Sequence, residues 1–203
     1  IVDGGGLMAI KPILFNTEMV RAILDGRKTC TRRIAKGFIP DDALWGYTAF
    51  TPKGYISCRG LYADGYGEGF YKLPYQPGDI LYVRETWNKG LERYMYRADY
   101  SDTEKFYQGG KEIEMKWYPS IHMPKEAARI WLKCTDVRVE RLQEITESGA
   151  KAEGVRGYTK DGNLYKYAVT DDWWIDYHNK HKEIVTGTWW QDMPRTAKDA
   201  FSY

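Results

Sequence analysis

The segment PYQPGDILYVRETW, residues 74–87, constrains the fold more than any other part of the chain. Its QPGD portion is a turn signal, and a run of apolar and aromatic residues typical of a β-strand follows over Ile80–Trp87. Comparable runs at Ala9–Phe15 and Arg129–Val139 predict further strands. These short strands, far apart along the chain, indicate a fold in which sheets are assembled from non-consecutive segments.

Two short helices accompany the strands. Asn16 or Thr17 can cap the first, whose apolar residues recur at helical spacing and which Gly26 can end. Thr146 can cap the second, ESGAKAE, which Gly154 can end. This combination fits the α+β class, and we expect a small twisted β-barrel with peripheral helices.

A single domain is expected over residues 9–203, because no linker divides the 203-residue chain. Residues 1–8, which include three consecutive glycines, are expected to be a leader or a cloning remnant. An insertion rich in Gly, Tyr and Pro at about residues 36–73 is expected to contain one hairpin around GYISCRG. A helical C-terminal part is expected from about residue 170.

Composition narrows the possible functions. The net charge is only +2, so any affinity for nucleic acid must come from a local patch. No apolar run is long enough to span a membrane, so no membrane partner is expected. The three cysteines are widely spaced, as is typical of reduced thiols in a cytoplasmic protein. The 17 Tyr and 8 Trp side chains can stack on bases, but we interpret most of them as fillers of a thin β core.

The segment GRKTCTR, directly after the first helix, is the first candidate site. If TCTRRIA is a half-exposed strand, Thr29 and Thr31 share one face, whereas Lys28 and Arg32 share the other. Lys28 can therefore meet the Thr31 hydroxyl only if the chain turns at Gly26–Lys28, which the Asp-Gly pair permits. The alternative is a helix exit whose basic residues complement the helix C-terminus and stay in water.

Three further motifs carry functional residue types. Arg84 in PGDILYVRE can bind a ligand or form a local ion pair with Glu85, and Glu153 in AEG can act chemically or be a surface carboxylate. His178 and His181 have the spacing of metal ligands, but no Cys or third His lies nearby, so neither a metal nor a cofactor is expected. The chain carries no Walker loop, dinucleotide fingerprint or G-x-S-x-G elbow.

Together, the segments KPILFNTEMVRAILDGRKTCTRR, PYQPGDILYVRETW and SIHMPKEAARIWLKCTDVRVERLQEIT resemble the ASCH-domain proteins of bacteriophages and prophages. The resemblance covers roughly residues 9–35, 74–100 and 117–155. It implies a PUA-like small twisted β-barrel with large loop insertions, and a cleft between the two short helices that suits RNA or a nucleoside. One bacterial branch that is similar in this cleft removes the acetyl group from acetylcytidine.

The working residues of that branch fall by motif on Lys28, Thr31 and Glu153. In amide hydrolysis, Thr31 would attack the carbonyl, Lys28 would take its proton and Glu153 would protonate the departing amine. The chain departs from the pattern in being about twice as long as that minimal enzyme, and AKDAFSY does not supply the final aromatic-rich strand of phage relatives. The side chains expected to bind the ligand are Arg27, Thr29, Arg32, Arg33 and Arg84.

Three functions remain open at this point. The first is binding of RNA or a modified nucleoside in a basic cleft. The second is an amidohydrolase that acts on acetylated cytidine. The third is a structural or interaction protein of a phage operon that keeps the barrel and uses another surface.

Overall fold

The computed structural model describes residues 9–34, 44–46, 55–90, 92–101, 103–159, 161–168 and 194–202. These residues form three α-helices: α1 (Thr17–Leu24), α2 (Glu147–Ala152) and α3 (Ala197–Ser202). They also form twelve strands: β1 (Ile10–Leu14), β2 (Leu44–Gly46), β3 (Tyr55–Tyr62), β4 (Gly65–Lys72), β5 (Ile80–Arg84), β6 (Trp87–Lys89), β7 (Tyr94–Tyr96), β8 (Phe106–Gln108), β9 (Lys111–Ile113), β10 (Trp131–Lys133), β11 (Arg156–Thr159) and β12 (Tyr165–Ala168). Single turns of 3-10 helix lie at Arg97–Asp99, Ser120–His122, Lys125–Ala127 and Leu142–Glu144.

This mixture of short helices and small sheets confirms the α+β class. The strand orders are β1-β5-β10 and β2-β3-β4 in three-stranded sheets, with β6-β7, β8-β9 and β11-β12 in two-stranded ones. None of these sheets closes into a barrel within the described residues. None of the described helices has both the length and the apolar character needed to cross a membrane.

The chain separates into two compact units, each made of segments that are distant in sequence. The first unit comprises Ile1–Ile13, Arg33–Val83 and Ala128–Glu140. The second comprises Leu14–Arg32, Arg84–Ala127 and Arg141–Tyr203. The expected leader at residues 1–8, both histidines of the HxxH motif and residues 169–193 of the expected helical C-terminal part lie outside the described residues.

In the first unit, the QPGD turn is tied to β1 by Asp79. Its buried carboxylate accepts hydrogen bonds from the Lys11 ammonium at 2.6 Å and from the backbone N–H groups of Gln76 and Ala9 at 2.9 and 3.3 Å. Burial alone would raise the pKa of Asp79, but these hydrogen bonds and the Lys11 charge outweigh it and lower the pKa. The predicted strand is therefore anchored by the residue directly before it.

The same unit holds the hairpin that GYISCRG predicts. β3 and β4 pair antiparallel from Tyr55 opposite Lys72 to Tyr62 opposite Gly65. Ile56 and Cys58 of β3 are buried, and the Tyr62 hydroxyl donates to the Cys58 carbonyl at 2.9 Å. The expected insertion therefore carries regular sheet structure of its own.

Both helix caps of the second unit form as the sequence predicts. The Asn16 side chain accepts from Met19 N–H, and the Thr146 hydroxyl accepts from Gly149 N–H. Glu147 caps α3 in addition, because its two carboxylate oxygens accept from the N–H groups of Ala197 and Lys198, each at 3.0 Å. The apolar cluster under α2 and α3 consists of Ile145, Ala150, Val155, Ala197 and Ala200.

One strand prediction is too long, and another is wrong. The run Arg129–Val139 forms a strand only at Trp131–Lys133. The next residue, Cys134, already faces the turn before β5, where its carbonyl accepts from Gly78 N–H, so no partner strand is left for the residues that follow. TCTRRIA forms no strand over its described residues. Its first two N–H groups, of Thr29 and Cys30, both donate to the carbonyl at the end of α2 instead of to a neighbouring strand.

Replacing Asp79 with Asn tests the anchored turn. The amide keeps the shape but loses charge-assisted hydrogen bonds, so we expect D79N to lower the free energy of unfolding by roughly 1.5–3 kcal/mol near neutral pH. The folded-state pKa is depressed, so this contribution is present above the unfolded value of about 4 and disappears as the pH falls through the folded value. Urea unfolding near neutral pH and at about pH 3 measures both effects.

D64N, in the exposed turn between β3 and β4, is the matched control and should leave stability unchanged. A loss of stability in D79N that is equal at both pH values would contradict the role assigned to the carboxylate.

Candidate functional site

The turn after α1 directs Lys28 towards the end of α2. Gly26 has a φ of 73°, which a glycine adopts without strain. The chain then reverses, so that the N–H groups of Arg27 and Lys28 both donate to the Ala22 carbonyl at 2.9 Å. This is the turn that the Asp-Gly pair predicts.

The backbone at this point pairs with the end of α2. Lys28 and Glu153 form an isolated antiparallel bridge, and Thr29 and Cys30 N–H donate to the Ala152 carbonyl at 2.8 and 3.0 Å. Gly154, with a φ of 103°, permits the approach, because a Cβ there would lie 3.0 Å from the Ala22 Cβ and 3.2 Å from the Lys28 Cβ. The ends of α1 and α2 are therefore held in contact.

A charged cluster of Lys28, Glu153 and Arg32 occupies this junction. The Lys28 Nζ donates to the Glu153 Oε2 at 2.5 Å and to the Glu153 carbonyl at 3.0 Å. The Arg32 Nη1 donates to the Glu153 Oε1 at 3.1 Å. The Lys28 and Glu153 side chains are only 2% and 5% exposed, whereas that of Arg32 is 20% exposed. Lys28 thus lies beneath the surface and not at the mouth of a cleft.

Aromatic rings and a glycine complete the surroundings of the charged cluster. The Lys28 Nζ lies 5.8 Å from the centroid of the Phe15 ring, and the Arg32 Cζ lies 5.8 Å from that of Phe201 on α3. Gly149 leaves room for the guanidinium, because a Cβ there would come within 3.0 Å of Arg32 Nη2. Within the described residues, no group of three or more His, Cys, Asp or Glu side chains is placed to hold a metal ion.

Cys30 lies beside the cluster but is not poised as a nucleophile. Burial, and after it the charge of Glu153, raise the pKa of the Cys30 thiol, against the opposing charges of Arg32 and Lys28. The thiolate is the reactive form of cysteine. The thiol therefore remains protonated near neutral pH.

The expected catalytic residues are only partly joined by contacts. The side chains of Lys28 and Glu153 are in contact. Thr31, three residues after Lys28, is half-buried. The hydrogen bonds that the Lys28 ammonium makes within the described residues both go to Glu153, so none joins it to the Thr31 hydroxyl.

The expected binding residues divide between the two units. In the second unit, the Arg27 guanidinium donates to the Gly154 carbonyl at 2.6 Å, and Thr29 is exposed. Arg84 donates to the backbone carbonyls of the segment that ends at Met123. Arg33 belongs to the first unit, where its charge acts on Tyr75.

A basic groove lies beside the charged cluster, and sequence reasoning missed most of it. It is an open concavity of about 530 Å³. The signal that could have revealed it is RGYTKDGNLYKYA, in which an Asp-Gly turn joins two segments rich in Tyr and basic residues. The described residues that line the groove are Arg27, Lys151, Val155, Arg156, Gly157, Tyr165 and Tyr167.

Replacing Glu153 with Gln tests the buried pair. It leaves the Lys28 ammonium buried without its counter-ion, and breaking a buried pair in this way costs about 3–5 kcal/mol. We therefore expect E153Q to lower the free energy of unfolding by roughly that amount in urea titration.

E112Q is the matched control, because the Lys105–Glu112 pair at 3.0 Å is exposed and such pairs contribute about 0–1 kcal/mol. Equal, small effects of the two substitutions would show that the Lys28–Glu153 pair is not desolvated.

Comparison of the chain with models of protein families, with curated proteins and with solved structures finds no match. The candidate site is therefore defined by its own geometry and by the residues that meet in it.

Proposed function

We propose that the protein binds RNA or a modified nucleoside in the basic groove, as a cytoplasmic ASCH-domain protein of phage or prophage type with a PUA-like barrel. The observation that carries the proposal is the lining of the groove, in which Arg27, Lys151 and Arg156 accompany two tyrosines. Cations neutralise phosphates and aromatic rings stack on bases, so the two residue types together suit a nucleotide.

The charge of the groove distinguishes it from a second concavity in the same unit. That concavity, of about 620 Å³, is lined by Phe106 and Trp117, by the carboxylates of Glu104, Glu112 and Glu114, and by the cations Arg97 and Lys105. The carboxylates outnumber the cations there, so the lining has a net negative charge and would repel a phosphate. No carboxylate is among the described residues that line the groove, although Asp25 pairs with Arg27 at 2.9 Å and Glu147 pairs with Lys151 at 3.4 Å from outside it. A phosphate is therefore expected to bind in the groove and not in the second concavity.

Affinity for an RNA oligonucleotide should depend moderately on salt. Three groove cations can neutralise at most three phosphates, so log K should fall with log salt with a slope no steeper than about −2. Between about 50 and about 200 mM salt, the affinity should fall no more than about 18-fold. Fluorescence anisotropy with a labelled oligonucleotide measures the slope.

R156Q should weaken binding. It should also make the slope of log K against log salt less negative by about 0.7, the contribution of one phosphate contact. R138Q, which removes an exposed arginine of the first unit paired with Glu140, is the matched control and should bind as the unmodified protein does. Binding that ignores salt, or that R138Q weakens as much as R156Q does, would argue against the groove.

Hydrolysis of acetylated cytidine is the second candidate function, and the contact between Lys28 and Glu153 supports it. The Lys28 Nζ lies 2.5 Å from the Glu153 Oε2. In this mechanism the Lys28 amine would accept the Thr31 proton as the hydroxyl attacks the acetyl carbonyl, and the Glu153 carboxylic acid would donate a proton to the departing cytosine amine. Water would afterwards release the acetyl group from Thr31.

Incubation with acetylcytidine tests this candidate, with free cytidine as the product measured. T31A should abolish turnover and leave folding intact, because the substitution removes only a hydroxyl and a methyl group from a half-buried position. T135A, at an exposed position of the first unit, should turn over normally. Substitution of Lys28 is less informative, since the residue is buried and its loss would also destabilise the fold.

Product formation that T31A does not affect would exclude the proposed nucleophile. If neither RNA binding nor hydrolysis is found, the remaining reading is a structural or interaction protein that uses another surface.

A further inference from the structure

The hairpin β11–β12 places two tyrosine rings on one face, above a glycine. The strands pair antiparallel, with Gly157 opposite Tyr167 and Thr159 opposite Tyr165. Directly opposite residues, and residues two apart on one strand, project to the same side of a sheet. Tyr165, Tyr167 and Gly157 therefore share the face that lines the groove.

Gly157 is required by the rings and not by the backbone. Its φ lies outside the left-handed region, so any residue could adopt its conformation. A Cβ at this position would lie 3.2 Å from the Tyr167 Cε1 and 3.6 Å from the Tyr165 Cδ1. Both rings therefore lie close to the glycine, on the same face of the hairpin.

The two rings have different surroundings. Tyr167 packs against the apolar cluster under α2 and α3, and the Lys151 ammonium lies 5.1 Å from its ring centroid. Tyr165 is 46% exposed, so it offers a large part of its ring to the groove. Tyr167 is the support, and Tyr165 is the surface on which a ligand can stack.

We infer that the groove takes an unpaired nucleobase, which stacks on Tyr165 while the groove cations face its phosphates; this inference rests on the proposed function. In a duplex, the faces of the bases are covered by their neighbours, and only edges and backbone are accessible. An aromatic ring can therefore contribute stacking energy only to a base whose face is open. The groove volume of about 530 Å³ is also that of a small-ligand site, which holds a nucleotide and not a helix.

The test compares three ligands that differ in whether their bases are paired. They are a short single-stranded RNA, the same strand annealed to its complement, and cytidine monophosphate, each titrated at low salt by anisotropy or calorimetry. The single strand should bind at least about fivefold more tightly than the duplex, because stacking contributes about 1–3 kcal/mol per base. Tight binding of the free nucleotide would identify a nucleoside, and tight binding of the strand alone would identify RNA; both support an unpaired base.

Substitutions in the groove test whether the base stacks on Tyr165. Y165A should weaken single-strand binding roughly 5- to 150-fold, the range that corresponds to the loss of one stacked base. Y165F, which keeps the ring, should remain within about threefold of the unmodified protein. G157A should also weaken binding, since its Cβ would displace the supporting ring. Y66A removes a tyrosine of β4, in the first unit, that is even more exposed than Tyr165, and should have no effect.

The two proposals fail in different ways. Equal affinity for single strand and duplex, with Y165A unaffected and R156Q weakened, would overturn the stacking inference and leave nucleic-acid binding in place. Failure of all three ligands to bind at low salt, with the fold intact by circular dichroism, would overturn both.

Discussion

The pairing of Lys28 with Glu153 holds the site of the second unit together at two levels. On the backbone, the bridge and the shared Ala152 carbonyl bind the segment after α1 to the end of α2. Between side chains, the ammonium meets the carboxylate where both are almost fully buried. Desolvating two charges costs several kcal/mol each, and only good geometry with additional hydrogen bonds offsets that cost. Arg32 and the Glu153 carbonyl supply those bonds, so the surrounding side chains must keep their places.

Burial and exposure divide the site into two parts with different tasks. In the charged cluster, the Lys28 and Glu153 side chains are enclosed, whereas that of Arg32 is 20% exposed. The groove is open and carries cations on long side chains, which a ligand can reach. Arg27 connects the two parts, because it is adjacent to Lys28 in sequence and lines the groove.

Features with local causes could be predicted from the sequence, and features that depend on distant partners could not. The caps at Asn16 and Thr146 and the left-handed glycines Gly26 and Gly154 behave as expected, since a cap or a turn involves residues within one helical turn. The strand predicted over Arg129–Val139 is short because its pairing stops at Lys133, opposite Ile80, the first residue of β5. The pattern within the run itself does not reveal this limit. The motif resemblance predicted that Lys28 and Glu153 share a site. It did not predict the groove, which depends on the β11–β12 register that places Gly157 beneath two rings.

The Lys28–Glu153 contact also has a consequence for how the molecule is made. Its two residues are 125 positions apart, so forming the contact carries a loop-closure entropy cost that contacts within one helix do not carry. During synthesis the chain emerges N-terminal end first, and Lys28 leaves the ribosome long before its carboxylate partner exists. Until then the Lys28 ammonium is hydrated, and the segment after α1 lacks its partner at the end of α2. The growing chain can therefore form the charged cluster only after Glu153 has been translated.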